Sequence, residues 1–482
     1  MKYHKRQFPR AASLDYNQGM KNSATIAAIS TAQGEAGIGI VRLSGPKAIS
    51  IADSLWLAAD GKSLTRLAGY RMSYGRLVVP GGDQEIDEAI VSVMRAPKSY
   101  TREDVVEINC HGGPMPLRRT LEAVLAAGAR LAEPGEFTKR AFLNGRVDLA
   151  QAEAVIDTIR ARTDRAARLA VRQLEGALSK EVASISQALI GLLAGLEAAV
   201  DFSDEEIELP SRGKLRKDVG KCAERIAKLV STAADGEILR NGVRLAIVGR
   251  PNVSKSSILN ALLKRDRAIV TSVPGTTRDI IEETVSIKGV PFVVADTAGI
   301  RDEADEVEAL GVALSQKSLD AADLVLVVVD ASQGVTPEDT IILERAAGRP
   351  TVVAVNKTDL VSKKEADAVV SSLAAEGRTA LRVSAVTGRG VDDLENAFGE
   401  TVFSGRILAT NDILVSNARH ADALRRALTS VRRAASEISD GLSEEFASAE
   451  IRDALSALGE ITGDSVGDEV LNRIFAEFCI GK

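Results

Sequence analysis

Hydrophobic and polar positions divide the chain into stretches with two different periods. Between residues 23 and 144, alternating β-branched runs such as 38–43 and 89–94 are separated by glycine-rich turns, which predicts a small α/β domain. From residue 145 to 238, apolar residues recur at spacings of three and four. This period is typical of amphipathic helices, so we expect a helical domain to follow the first domain.

A second α/β pattern occupies residues 239–404, and helical repeats resume from 405 to 482. Short β-branched runs alternate there with helical segments, as in a parallel sheet with crossover helices; the runs are 245–248, 292–295, 324–329 and 351–355. The predicted fold class is α/β plus α. An N-terminal α/β domain precedes a discontinuous helical domain, into which an α/β domain with a mainly parallel sheet is inserted.

Composition and charge limit how the protein can interact with membranes and nucleic acids. The longest nearly apolar stretch, 188–200, is shorter than the roughly 20 residues that cross a bilayer and contains Glu197, so we expect no membrane helix. Residues 1–22 are basic without an apolar signal core, and we expect them to be a disordered extension. The net charge of −6 excludes nucleic-acid binding by overall charge but leaves room for local basic patches.

The cysteines indicate the redox compartment. Cys110, Cys222 and Cys479 lie far apart, without the paired spacing of a disulfide framework or a zinc site. A reducing cytoplasm is therefore the expected location.

The first candidate site is the segment G-R-P-N-V-S-K-S at 249–256, which follows a buried run and opens a helical one. This is the context of a P-loop, in which backbone N–H groups bind phosphates, Lys255 reaches the β- and γ-phosphates, and the Ser256 hydroxyl binds Mg²⁺. The residue before the lysine is Ser254 instead of glycine. Because a Cβ disfavours conformations that glycine adopts freely, we expect Ser254 to weaken nucleotide binding unless the loop adjusts its backbone.

Three further segments stand at the ends of predicted strands. D-T-A-G at 296–299 suits the Mg²⁺ shell and the γ-phosphate. N-K-T-D at 356–359 ends with Asp359, whose carboxylate can accept two hydrogen bonds from guanine that adenine cannot donate, and S-A at 384–385 closes the base pocket. Each segment alone is an ordinary polar turn, but the four in this order at strand ends predict a guanine nucleotide site.

A switch segment lies between the P-loop and residue 296. G-T-T-R-D at 275–279 suits a loop whose Thr277 hydroxyl completes the Mg²⁺ shell. Ile300 stands where a water-orienting glutamine is usual, so another group must orient the attacking water. The predicted GTP contacts are Asn252, Val253, Ser254, Lys255, Ser256, Ser257, Thr271, Ser272, Val273, Pro274, Gly275, Thr276, Thr277, Asp296, Thr297, Ala298, Gly299, Asn356, Lys357, Asp359, Ser384 and Ala385.

Five segments of the chain together match one family. They are P-G-T-T-R-D at 274–279, D-T-A-G-I-R at 296–301, G-E-F-T-K-R-A-F-L-N at 135–144, D-L-A-Q-A-E at 148–153 and F-C-I-G-K at 478–482. From about residue 25 to its end, the chain resembles the bacterial tRNA modification GTPases of the MnmE (TrmE) family, within the TrmE-Era-EngA-like P-loop GTPases. The most specific motif is the C-x-G-K ending, which is characteristic of that family.

The resemblance implies a K⁺-stimulated cytoplasmic GTPase with a Ras-like G domain, dimeric through a folate-binding N-terminal domain. It implies a complex with the flavoprotein MnmG, a heterotetramer or larger. That complex would modify C5 of the wobble uridine of certain tRNAs in a carboxymethylaminomethyl-type reaction. The one-carbon unit would come from a tetrahydrofolate derivative, either the 5-formyl or the 5,10-methylene form.

The resemblance also implies individual roles. Glu308 would orient the attacking water through a second water, alongside Lys255 and Thr277; by its composition alone, the acidic segment around Glu308 is a solvated switch. The residues implied for K⁺ are Asn252, Thr271, Val273 and Thr276, and those implied for folate are Arg42, Glu107, Arg146 and Lys482. As isolated residues, Arg42 and Arg146 are equally typical of surface ion pairs, and Cys479 is either reactive or a small buried side chain.

Two basic stretches are candidates for tRNA contact, although solvated helix faces have the same composition. One is the arginine series 160, 162, 165, 168 and 172, and the other is 212–228. Two alternative functions stay open at this point. One is a regulatory or ribosome-assembly GTPase switch, and the other is a folate- and tRNA-binding scaffold whose GTPase is impaired by Ser254.

Overall fold

The computed structural model describes residues 24–32, 34–82, 84–201, 211–265, 283–294, 319–403, 413–440 and 444–482. The extension expected at residues 1–22 lies outside them. The described residues form two compact units, one of residues up to Asp148 together with Gly467–Lys482, and the other drawn from Leu149–Val466. The domain boundaries inferred from the sequence stay predictions; by its contacts, the segment Gly467–Lys482 belongs to the first unit.

A seven-stranded sheet forms the centre of the first unit. Its strands follow the order β3-β4-β5-β6-β2-β1-β7, and the β1–β7 pair is parallel whereas the other pairs are antiparallel. In chain order they are β1 (Ile26–Ile29), β2 (Ala36–Ser44), β3 (Trp56–Ala58), β4 (Arg71–Val78), β5 (Glu85–Met94), β6 (Val105–Gly112) and β7 (Arg130–Leu131).

Fifteen helices occur in the described residues. In chain order they are α1 (Ala48–Asp53), α2 (Pro114–Ala126), α3 (Glu136–Leu143), α4 (Leu149–Arg160), α5 (Asp164–Leu174), α6 (Ala177–Asp201), α7 (Arg212–Ser231), α8 (Ala233–Asn241), α9 (Lys255–Arg265), α10 (Pro337–Arg345), α11 (Lys363–Ala375), α12 (Val391–Phe403), α13 (Ala418–Asp440), α14 (Glu444–Thr462) and α15 (Asp468–Ala476). A short 3₁₀ helix, Leu64–Arg66, precedes β4.

The two faces of the first sheet differ in how they are covered. Alternation along β2 puts Val41 and Leu43 into a core that α1 and α2 cover. On the other face, Phe137 of α3 packs against Ile26 and Ala28 of β1, and α15 packs on α3. Beyond β1, strands β4 and β5 expose large apolar side chains on that second face, so α3 covers only one end of it.

A six-stranded sheet forms the α/β part of the second unit. Its strands follow the order β13-β12-β11-β8-β10-β9, parallel except for the antiparallel β9–β10 hairpin. They are β8 (Val243–Val248), β9 (Glu283–Ile287), β10 (Val290–Val294), β11 (Leu324–Asp330), β12 (Thr351–Asn356) and β13 (Thr379–Arg382). Helices α9 and α12 cover one face and α10 and α11 the other. The predicted mainly parallel sheet is therefore confirmed.

The helical part of the second unit has a core built from α4, α6, α7, α13 and α14. Within the described part of the chain, the segment Ala177–Ala198 of α6 is long and apolar enough to cross a membrane by length and composition. Leu178, Val182, Ile185 and Leu189 of that helix are buried in the bundle core at spacings of three and four. This spacing is typical of a core helix, so the segment is weak evidence for a membrane span.

Candidate guanine-nucleotide site and N-terminal cluster

The P-loop occupies the carboxyl end of β8. The strand ends at Val248, residues 249–254 form the loop, and α9 begins at Lys255. A Cβ on Gly249 would stand 2.6 Å from the carbonyl oxygen of Val328 in β11, so the close approach of these strands requires glycine. The N–H of Ile258 donates to the Ser254 carbonyl at 3.1 Å, which closes the first turn of the helix.

Ser254 occupies a left-handed conformation. Its φ is 67°, and that of Asn252 is 64°, in the region where glycine is favoured and most side chains are strained. The structure thus shows the physical conflict at the position where the sequence departs from the P-loop pattern. The backbone at Ser254 holds a conformation that glycine adopts freely and that a residue with a Cβ adopts only under strain.

The P-loop lysine is folded onto its own loop. Lys255 Nζ donates to the carbonyl oxygens of Gly249 at 3.0 Å and Arg250 at 2.9 Å. Ser256 and Ser257 lie half-buried in the first turn of α9. Since the first four N–H groups of a helix have no partner within the helix, this end of α9 offers donors to an anion.

Asn356 joins three of the predicted segments. This side chain is 1% exposed at the end of β12. Its Nδ2 donates to the Val253 carbonyl in the P-loop at 3.0 Å, and its Oδ1 accepts from the Ala385 N–H at 3.1 Å. The Asn356 side-chain amide therefore holds the P-loop and the S-A segment together.

Lys357 adds a second link to the P-loop. Its Nζ donates to the Asn252 carbonyl at 2.7 Å and lies 2.8 Å from Asp330, at the end of β11. Burial raises the pKa of Asp330, but hydrogen bonds from Lys357 and Ser332 outweigh burial and hold that pKa below its usual value. Asp330 is thus an ionised, buried anchor for the lysine.

Asp359 is exposed, three residues after the end of β12. The Ser384 hydroxyl, on a residue 1% exposed, donates to Asp359 Oδ1 at 2.6 Å, and the Thr387 N–H donates to Ser384 Oγ at 3.2 Å. A carboxylate has about four acceptor positions, so Asp359 held in this way can still accept two bonds from a guanine edge.

Several predicted residues lie outside the described part of the chain: Thr271, Ser272, Val273, Pro274, Gly275, Thr276, Thr277, Asp296, Thr297, Ala298, Gly299 and Glu308. Their roles stay predictions. The described residues that are brought together are those of the P-loop, N-K-T-D and S-A segments.

A supporting ion pair that the sequence did not predict lies next to the P-loop. Arg250 Nε donates to Asp339 Oδ1 at 2.9 Å, and Asp339 is fully buried. Asp339 also forms a capping box with Thr336 at the start of α10. The T-x-x-D spacing at 336–339 was a visible signal for that cap, but its pairing with an arginine 89 residues away was not.

The predicted folate residues also lie together, in the first unit. Arg42 of β2 stands opposite Glu107 of β6, and its Nε and Nη2 lie 2.9 and 2.8 Å from Glu107 Oε1. The guanidinium carbons of Arg42 and Arg146 lie 5.7 and 4.6 Å from the centroid of the Tyr100 ring. We call Arg42, Tyr100, Glu107, Arg146 and Lys482 the N-terminal cluster.

The C-terminal motif is anchored beside this cluster. Arg42 Nη1 and Ser30 Oγ donate to the Gly481 carbonyl at 3.3 and 3.2 Å. Gly481 has a φ of 93°, and a Cβ there would stand 2.3 Å from the Ile29 carbonyl, so only glycine fits against β1. Burial lowers the pKa of Lys482, and the charge of Arg42 lowers it further.

Cys479 is exposed, which excludes its interpretation as a small buried side chain. Its carbonyl accepts from the Gly135 N–H at 3.4 Å, at the start of α3. The residue therefore sits at the surface, next to the terminus that contacts Arg42.

The two basic stretches are partly paired. Arg162 donates to Thr284 of β9 at 2.9 Å, and burial lowers the pKa of Arg165. In α7, Lys221 pairs with Asp218 at 2.7 Å and Arg225 with Glu181 at 2.9 Å. Some of the basic residues in each stretch therefore have partners within the chain or are partly buried.

A parallel sheet that carries a P-loop, an N-K-T-D segment and an S-A segment at its carboxyl edge defines a P-loop guanine-nucleotide-binding protein. Family models agree with the rest of the chain: that for the MnmE helical domain matches residues 149–479, and that for the GTP-binding protein TrmE N-terminus matches residues 25–146. The chain belongs to the MnmE family of tRNA modification GTPases.

Full-length relatives agree with these matches. The tRNA modification GTPase MnmE of Alkaliphilus metalliredigens is 47% identical over 458 residues, 95% of this chain and 99% of that protein. The MnmE of Geobacillus kaustophilus is 48% identical over 459 residues, with the same coverage. Among solved structures, the G domain of the T. maritima FeoB iron transporter is 25% identical and covers 33% of this chain and 98% of that chain, with a TM-score of 0.25. The family assignment rests on the sequence matches.

Proposed function

We propose that this chain is a K⁺-stimulated GTPase that modifies C5 of the wobble uridine of certain tRNAs together with a flavoprotein of the MnmG type. The one-carbon unit comes from a tetrahydrofolate derivative. Membership of the family supports the coarser statement directly, namely a GTPase that acts in tRNA modification. The observation that carries the guanine-nucleotide part of the proposal is the Asn356 bridge, in which one side chain binds both the P-loop and the S-A segment.

In this proposal the described residues bind and orient the nucleotide. The N–H groups at the start of α9 and the Lys255 ammonium bind phosphate oxygens, and Asp359 reads the guanine edge. Ser256 would hold Mg²⁺, which supplies charge neutralisation between the β- and γ-phosphates. Asn252 would contribute to a K⁺ site, together with Thr271, Val273 and Thr276.

The N-terminal cluster supports the folate part of the proposal. Both contacts from Arg42 go to Oε1 of Glu107, so Oε2 can accept a hydrogen bond from a pterin N–H group. Arg146 and Lys482 supply positive charge for carboxylates, and the half-buried position of Lys482 strengthens such a contact because water screens it less.

The uncovered face of the first sheet supports a homodimer. Ile38, Met72 and Tyr74 are 64%, 72% and 56% exposed, and Ile90, directly opposite Tyr74, is 43% exposed. Sheets with one bare apolar face are commonly buried against a partner. A second copy of the chain would cover these side chains.

Hydrolysis of GTP in KCl and in NaCl at equal concentration and fixed Mg²⁺ tests the proposal. We expect several-fold faster turnover in KCl, and we expect Asn252→Ala to remove the difference between the salts. Asn241→Ala, at an exposed asparagine that ends α8, is the matched control. Equal rates in the two salts for the unmodified chain would contradict the K⁺ part.

One alternative is favoured by a specific observation. The left-handed serine at 254 fits a chain whose GTPase is impaired and whose role lies in binding folate and tRNA. In that case the unmodified chain is inactive in both salts, and Ser254→Gly restores hydrolysis.

A further inference from the structure

An open recess of about 390 Å³ adjoins the N-terminal cluster on the first unit. Arg146 and Tyr100 of the cluster line it, and so do Tyr70, Lys98 and Arg102. None of the described residues that line it is acidic. The recess is therefore a concentration of positive charge with two aromatic rings in its walls.

Two lining residues hold strained backbone conformations. Tyr70 has a φ of 61° and Arg102 a φ of 60°, both in the left-handed region. Such conformations cost of the order of 1 kcal/mol or more and persist where the surrounding structure imposes them, often at ligand sites. Because both residues line the same recess, the surrounding structure must hold its walls in backbone conformations that these residues would not adopt by themselves.

Arg146 belongs to both the N-terminal cluster and the recess, so positive charge is present in each. Arg42 is paired with Glu107, and both Arg42 and Arg146 lie against the Tyr100 ring. The distances of both guanidinium groups to that one ring bound their separation at about 10 Å. Arg102 is oriented by a hydrogen bond from its Nη1 to the Asn144 carbonyl at 2.9 Å, and Lys98 is exposed.

We propose that this recess binds the γ-linked glutamate chain of a polyglutamylated folate, with Lys98 and Arg102 contacting carboxylates beyond the first glutamate. The inference rests on the folate site of the proposed function and deepens it. A γ-glutamyl chain carries one free α-carboxylate at each residue, so it extends as a row of negative charges. Glu107 takes the pterin end, Tyr100 and Arg146 flank the middle of the ligand, and the recess receives the tail.

The test is calorimetric titration of the full chain with 5-formyltetrahydrofolate that carries one glutamate or three. We expect the triglutamate to bind more tightly. Lys98→Ala and Arg102→Asn should each weaken the triglutamate by about two- to fivefold and leave the monoglutamate unchanged, as suits exposed charge pairs. Asparagine at 102 tolerates the left-handed conformation, which limits structural damage.

Arg118→Ala is the matched control, because it removes a positive charge from α2 on the covered face of the same sheet, and it should change neither affinity. Equal binding of the two ligands by the unmodified chain would overturn the inference. It would also be overturned if Lys98→Ala and Arg102→Asn weakened both ligands equally, or weakened tRNA binding alone. Absence of binding by either folate while GTP still binds would instead contradict the folate part of the proposed function.

Discussion

At the scale of single residues, Ser254 is the position where sequence and backbone disagree. A left-handed conformation costs a residue with a Cβ roughly 1–2 kcal/mol relative to glycine. We predict that Ser254→Gly lowers the dissociation constant for GTP by about fivefold, since a larger fraction of the loop then holds the phosphate-binding conformation. Titration with a fluorescent GTP analogue measures this change.

Ser254→Ala distinguishes the effect of the strained backbone from the effect of the serine hydroxyl. Alanine removes the hydroxyl but keeps the Cβ, so we expect the affinity of the unmodified chain. If the glycine variant bound GTP no more tightly than the serine chain, the loop would have accommodated the serine without loss. Equal gains in the glycine and alanine variants would attribute the effect to the hydroxyl.

At the scale of elements, a buried charge cluster ties α4 to α13. Glu153 Oε2 lies 2.7 Å from Arg419 Nη2 and 2.6 Å from His420 Nε2, and His420 is 1% exposed. Burial raises the pKa of Glu153, but His420 and Arg419 outweigh it and lower that pKa from 4.5 to about 2. The ionised carboxylate is thus the form that the helical core stabilises.

The sign of the pH dependence follows from this lowered pKa. Stability from Glu153 is fully present above the unfolded value near 4.5 and is lost as pH falls toward 2. We predict that Glu153→Gln lowers the free energy of unfolding by roughly 3 kcal/mol at pH 7, because Arg419 and His420 then lack their buried partner. Urea unfolding followed by circular dichroism at pH 7 and at lower pH measures the difference.

The difference between the two chains should shrink below pH 4.5, because Glu153 of the unfolded chain binds a proton there while the folded chain binds it only near pH 2. Glu197→Gln, which breaks the exposed pair with Arg452 in the same unit, should cost less than about 1 kcal/mol. A gap between unmodified chain and Glu153→Gln that stayed constant with pH would contradict the assigned charge state.

Elements and sites differed in how far the sequence alone could predict them. The P-loop and the N-K-T-D segment are short motifs at strand ends, so their local spacing sufficed to predict that they lie together at one edge of the sheet. The Arg250–Asp339 and Glu153–His420 pairs join residues that are 89 and 267 positions apart. No local period reports such pairs, because they depend on how helices and strands meet.

The N-terminal cluster shows the same limit. Alternation predicts that Arg42 lies on the face opposite to Val41 and Leu43, but the register that puts it beside Glu107 is a property of the folded sheet. The folate roles came from the family resemblance alone. The anchoring of Gly481 on β1 also lies beyond local reasoning, since it joins the two ends of the chain.

At the scale of the whole molecule, the bare face of the first sheet predicts an oligomer. Tyr74 and Ile90 are cross-strand neighbours. A glutamate at each position would put two carboxylates into any interface on that face, and burying them without partners would destabilise the interface. We predict that the unmodified chain has twice the mass of one 51.0 kDa chain, and that Tyr74→Glu with Ile90→Glu is monomeric. Size-exclusion chromatography with light scattering, over a range of concentrations, measures this.

The control for that experiment must also add charge to an exposed apolar position. Ile341 on α10 is 50% exposed in the second unit, and Ile341→Glu should leave the mass unchanged. A dimer that survived both changes on the sheet face would place the interface elsewhere. Loss of the dimer only in the sheet-face variant, with unchanged circular dichroism, would assign dimerisation to the face that also carries Arg42 and Glu107.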